Sequence, residues 1–228
     1  MRKSIIISLI FIVCFSAITS AGPQRVTDPQ SKHNLSIYSA LTVKSTTERE
    51  ICIFCHTPHN SSPEAPLWNH DITTATYTYY WSPSMNAYSS VASAPPVDGY
   101  SKLCLSCHDG TVALGAVRSR TTDIQMQPVA GIVSAEGKLI GGPGYVGTDL
   151  SGAHPISFVF DAALAAADGN LKWPINDTDV RLDANSKVQC TACHDPHDDS
   201  RANDPFNPNL RFWNKTTHDE VCNVCHNI

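Results

Sequence analysis

The chain has 228 residues and a formal net charge of −5, with 16 Lys and Arg against 21 Asp and Glu and no basic cluster, which excludes phosphate-backbone binding as its main task. Aromatic residues are only 8% of the chain, while Pro and Gly number 15 and 12. Side chains alone therefore bury little apolar surface, and something else is expected to fill the interior.

In chain order, "MRK", the apolar run "SIIISLIFIVCFSAI" and the small residues of "TSAG" follow the charge, core and cleavage-site sequence of a secretory signal peptide. Residues 1–21 are read as that signal and 22–228 as one exported domain, extracellular or at the cell surface, with the periplasm as the alternative. The apolar run is too short to read as a membrane span, although an uncleaved anchor is the other reading. Cys14 lacks the small residues before it that lipoprotein processing favours, so it is an apolar residue of the signal. No later segment is apolar enough to cross a bilayer.

With Cys14 set aside, eight cysteines remain, and every one belongs to a pair with two residues between. Cys52 pairs with Cys55, Cys104 with Cys107, Cys190 with Cys193 and Cys222 with Cys225, followed at once by His56, His108, His194 and His226. C-x-x-C-H is the attachment sequence of c-type haem. Cysteines at i and i+3 stand on one side of a helical turn, so both sulfurs reach the vinyl groups along one porphyrin edge, and the next histidine reaches the iron. Zinc would leave four histidines superfluous. Structural disulfides suit an exported chain but do not explain those histidines. A thioredoxin-like dithiol needs one such pair in a βαβ setting, not four in loops. The expectation is four covalently bound haem c groups (iron) that replace the missing core.

Each iron takes a second axial ligand, and that ligand sets its behaviour. Six histidines remain: His33, His59, His70, His154, His197 and His218. In "CIFCHTPHN" and "CTACHDPHD" the last histidine follows Pro58 or Pro196, which stops the helical turn, so His59 and His197 are expected to point toward a neighbouring haem. Residues 33–108 and 154–226 then read as pseudo-repeats. Each has an upstream histidine, a C-x-x-C-H-x-P-H motif and a plain C-x-x-C-H. On that count His33 and His59 serve the first two haems and His154 and His197 the last two. His154 stands in "GAHPISF", where the following proline holds an extended backbone. His70 and His218 are spares; His218 is close enough to the last motif for a propionate contact. Met85 and Met126 are the only mature methionines, and with histidine in excess a His/Met site is not expected.

Between the motifs little regular structure is expected. "TATYTYYWSPS" reads as a strand or an aromatic cover over a haem face. "APPVDGY" and "IGGPGYVG" read as loops, "FDAALAAADGN" as one short helix with a Gly stop, and "DVRLDANSKVQC" as a hairpin leading into the third motif. The roughly eighty residues between the second and third motifs are expected to hold what sheet there is, or a lid beside the haem chain. The fold class is mostly irregular and loop-rich, with short helices at the haem sites and little sheet.

The phrases "ICIFCHTPHN", "PLWN", "KLCLSCHDGT", "GAHPISF" and "CTACHDPH" resemble the multihaem c-type cytochromes with paired C-x-x-C-H motifs, in particular the OmcE-type tetrahaem extracellular nanowire cytochromes of metal-reducing bacteria. The resemblance spans most of the mature chain. It implies a fold built around a stacked haem chain, with proximal roles for His56, His108, His194 and His226 and distal roles for His33, His59, His154 and His197. It also implies long-range electron transfer in a homopolymeric filament, with other redox proteins or extracellular acceptors as partners. One distal histidine in such filaments comes from the next subunit, and His33, on an N-terminal arm, is the candidate. A monomeric periplasmic shuttle is the alternative, and a reductase with one open haem a further one. No phosphate-binding glycine loop, nucleophile elbow or catalytic carboxylate pair is present, so no enzyme activity is expected.

Overall fold

The computed structural model describes residues 25–200 and 212–227; the expected signal peptide and Cys14 lie outside them. Regular structure gathers at the four cysteine pairs. The first pair opens a 3-10 turn, Cys52–Phe54. The second ends helix α1, Gly99–His108. After α2, Ala162–Asp168, the third pair forms the single turn α3, Cys190–Cys193, and the fourth ends α4, His218–Cys225. The only paired strands among the described residues are two residues long each, β1 (Thr78–Tyr79) and β2 (Asp149–Leu150), and they run parallel with Thr78 opposite Asp149.

Local chemistry accounts for the helix ends. The Asp161 side chain accepts from Leu164 N–H at 2.9 Å and starts α2. Gly169, at φ 74°, stops it in the left-handed conformation open to glycine. Thr217 and Glu220 form a reciprocal capping box on α4. The aromatic run is only marginally a strand. Residues 179–190 do not form the expected hairpin with themselves. The Asp183 carboxylate accepts from the Asn185 and Lys187 amides, closing a tight turn, and the chain then lies along Ser157–Phe160. Val188 N–H donates to Phe158 C=O at 3.0 Å, and Phe160 N–H to Ser186 C=O at 2.8 Å. Val188 needs an apolar partner, and the two phenylalanines supply it. The small sheet likewise draws one strand from before the second motif, not both from the segment after it.

Two separate apolar clusters lie under the motifs. Ile53, Phe54, Leu114, Val117, Ile124, Met126, Val133 and Leu139 form the first, against Cys55 and Cys107. Phe158, Phe160, Val188 and Ala192 form the second, against Cys193 and Cys225. Motifs one and two thus share one cluster, and motifs three and four the other. The halves meet where α1 touches α3: Cys190 N–H donates to Ser101 Oγ, and Ser101 N–H donates to the buried Gln189 side chain. No helix among the described residues is long and apolar enough to cross a membrane.

Candidate metal centre

Each pair of thiols is set by one backbone bond. His56 N–H donates to Cys52 C=O at 2.8 Å, His194 to Cys190 at 3.0 Å and His226 to Cys222 at 2.9 Å, each closing the turn that carries both sulfurs. His108 ends α1 in the same relation to Cys104. All eight thiols are free. Burial pushes Cys55, Cys107 and Cys193 up to about 12 and Cys225 to about 11. Neighbouring motifs add to the shift: Cys107 acts on Cys55, Cys190 on Cys104, and Cys225 on Cys193. The motifs therefore adjoin in the order one, two, three, four.

The histidines meet in twos. His33 faces His108 with ring centres 6.0 Å apart, His56 faces His197 at 6.0 Å, and His154 faces His226 at 6.3 Å. Four of these rings have Nδ1 held. His33 Nδ1 lies 2.9 Å from Pro196 C=O, His108 Nδ1 2.6 Å from Gly144 C=O, and His154 Nδ1 2.7 Å from Pro155 C=O. His197 Nδ1 lies 3.4 Å from the Asp195 carboxylate. A carbonyl oxygen only accepts, so each ring held by one carries its proton on Nδ1 and keeps the Nε2 lone pair for a metal. Burial, then the facing His108, lowers His33 to about 4. Burial, then the facing imidazole, also lowers His56 and His226. Each shift favours the neutral ring that a metal ligand must be.

The remaining histidines separate clearly. His70 is fully buried, and both its ring nitrogens meet backbone carbonyls, Asp71 at 2.7 Å and Ala113 at 3.1 Å. It is enclosed by backbone, with neither ring nitrogen open toward a metal. His218 lies 3.5 Å from Cys222 Sγ and edge-on to Trp213. His194 leans on Trp213 at 4.8 Å. His59 is exposed, and among the described residues its ring meets no other imidazole. Met126 is buried in the first apolar cluster.

Two placements differ from the repeat-based expectation. His197, assigned to the second half, faces His56 of the first, because the turn after Pro196 brings the two halves together. His33 is not on a free arm. It is half-buried between His108 and Phe212, stacked on the latter at 4.3 Å.

The sequence reading missed a duplicated clasp. After motif one, Leu67-Trp68-Asn69 returns to it; after motif three, Phe212-Trp213-Asn214 does the same. Trp68 bridges to His56 and Trp213 to His194. Asn69 N–H donates to Cys55 C=O and Asn214 N–H to Cys193 C=O, both at 2.9 Å. The Asn69 amide also donates to Ile53 C=O, and that of Asn214 to Thr191 and Ala192 C=O. Leu67 and Phe212 accept from Thr57 and Asp195 N–H, and both stand at positive φ, 62° and 58°. The shared W-N dipeptide was the available signal, but its unequal distance from the two motifs hid the equivalence.

These residues fit a metal held axially by imidazoles beside paired thiols. Two imidazoles sharing one metal, each nitrogen about 2 Å from it, have ring centres roughly 6 Å apart. Among the described residues no three of His, Cys, Asp or Glu converge as a directly chelated ion would need. Trp68 Nε1 is buried with no acceptor among the described residues. The chain matches no protein-family model and no curated protein.

Proposed function

We propose that this chain is an exported tetrahaem c-type cytochrome that transfers electrons and does not catalyse a reaction. The observation that carries the reading is the meeting of three C-x-x-C-H histidines with three other histidines at 6.0–6.3 Å. Haem bound at the four motifs supplies one-electron exchange between ferric and ferrous iron. Cys52/Cys55, Cys104/Cys107, Cys190/Cys193 and Cys222/Cys225 hold the porphyrins through thioethers. His56, His108, His194 and His226 are the proximal ligands. His197, His33 and His154 close the first, second and fourth sites, which leaves substrates no open metal position there. The order in which the motifs adjoin supports a single relay from the first site to the fourth. His59, exposed at one end of the first motif, is free to serve a neighbouring copy, and this supports assembly into an extracellular filament that passes electrons to redox proteins or external acceptors.

Intact-mass measurement and spectra of the protein matured in an exporting host test the reading. Four added haem masses and low-spin ferrohaem bands after dithionite are expected; absence of porphyrin mass overturns it. A stoichiometric high-spin signal in the unsubstituted protein would favour a reductase instead. Electron microscopy of the secreted material tests assembly: fibres lost in His59→Ala support it, and a stable monomer without fibres points to a shuttle.

A further inference from the structure

Asp109 follows the second motif directly and is only 2% exposed. Each of its carboxylate oxygens meets two donor groups. Oδ1 lies 2.7 Å from the Thr111 amide and 2.8 Å from Thr111 Oγ1, and Oδ2 lies 2.7 Å from both Thr73 Oγ1 and the Tyr77 hydroxyl. Two donors on each oxygen suit the ionised carboxylate, which only accepts. The frame around it is fixed as well: Thr73 N–H donates to the buried Ser106 hydroxyl on α1, and Asp109 N–H donates to Leu105 C=O at 2.8 Å. Among the described residues, no ion pair brings a Lys or Arg to this carboxylate. A buried charge without a countercharge is costly. Asparagine would accept from the Thr111 amide and donate to the Thr73 and Tyr77 hydroxyl oxygens, so the network needs this shape but not this charge.

The other three motif histidines are followed by Thr57, Asp195 and Asn227. Thr57 and Asn227 carry no charge, and Asp195 is partly exposed and lies beside His197. Only the second motif has a buried carboxylate at this place. A fixed negative charge beside a redox centre favours its more positive, ferric state. We propose that Asp109 sets the potential of the second haem: its enclosed charge, one residue beyond the proximal His108, holds that haem lower than the site would otherwise stand. Thr73, Tyr77 and Thr111 are positioning residues that keep the carboxylate in place. This rests on the function proposed above.

The test uses the matured holoprotein with Asp109→Asn and Tyr77→Phe. Mass and visible spectra come first. Missing haem in the unsubstituted protein defeats the functional reading, whereas four attached haems leave only this inference at stake. In redox titrations followed by nuclear magnetic resonance, the second haem is identified by the thioether signals of Cys104 and Cys107. Asp109→Asn is expected to raise its potential, so that its ferrous-to-ferric ratio at a fixed applied potential grows roughly tenfold, the weight of one unit charge close by in a partly buried setting. The other three potentials should move less. Tyr77→Phe keeps the charge but removes a donor that offsets it, so the same potential should fall, by a smaller amount. A purely structural role predicts no such opposition of sign. An unmoved second potential in Asp109→Asn, or shifts of the same sign in the two variants, would overturn the inference. If Asp109→Asn fails to mature, Tyr77→Phe decides, because it deletes one hydroxyl from a half-buried ring: a lowered second potential supports the inference, and an unmoved or raised one sinks it.

Discussion

His59, His70 and His197 show how far a residue's identity falls short of its role. All three are histidines near a C-x-x-C-H motif, yet one is exposed, one is locked between two carbonyls and one faces another imidazole. The x-P-H motif sets His59 and His197 apart from His70, but nothing local separates His59 from His197, because the partner that decides each role is remote or is backbone. Replacing His70 by Ala is expected to leave the spectrum of the proposed haems unchanged while lowering stability by about 1–3 kcal/mol in denaturant titrations, since a buried carbonyl loses its donor. His197→Ala should do the reverse: four haems remain attached, and electron paramagnetic resonance shows one new high-spin centre. If His70→Ala opened a haem, or His197→Ala opened none, the assignments here would be wrong.

At the scale of elements, the C-x-x-C-H turns were legible because their spacing is local. The clasps were not, because each joins a turn to a segment whose distance along the chain varies. Asn69→Ala and Asn214→Ala should each cost about 1–3 kcal/mol through unsatisfied turn carbonyls, with the stability loss read by thermal melting. Gly110 follows the second motif at φ 75°, and a Cβ there would meet Leu139 C=O at 2.3 Å and the Tyr145 ring at 2.7 Å. The loop it abuts also delivers Gly144 C=O to His108. Gly110→Ala is therefore expected to destabilise the protein by about 1–3 kcal/mol and to perturb the second haem's spectrum alone.

At the scale of the whole molecule, the two clusters of eight and four buried residues among the described residues are a thin core. The proposed haems would complete it. A chain with all four cysteine pairs changed to Ala should be largely unfolded by circular dichroism. Acid stability rests partly on the segment ahead of α4. Burial works to raise the Asp177 carboxyl, but the Lys215 ammonium at 2.9 Å and the Val180 and Asp179 amides more than offset it and hold it at about 2. Its ordinary value is 3.8, so the stability it contributes is complete above about 3.8 and is lost as pH falls through about 2. Asp177→Asn should flatten the melting-temperature profile across that window, and an unchanged profile would remove this ion pair from the account.

The sequence by itself determined the four cysteine pairs, their helical turns, the short capped helix at Ala162–Asp168 and the scarcity of sheet. All follow from contacts a few residues apart and from composition. Only the tertiary structure decided which imidazole meets which, that His33 packs against Phe212 and is not on a free arm, and that Trp-Asn segments clasp the first and third motifs. Those partners are separated by anything from a dozen to well over a hundred residues. What brings them together is the folding of loops around shared apolar clusters, and no local periodicity encodes that.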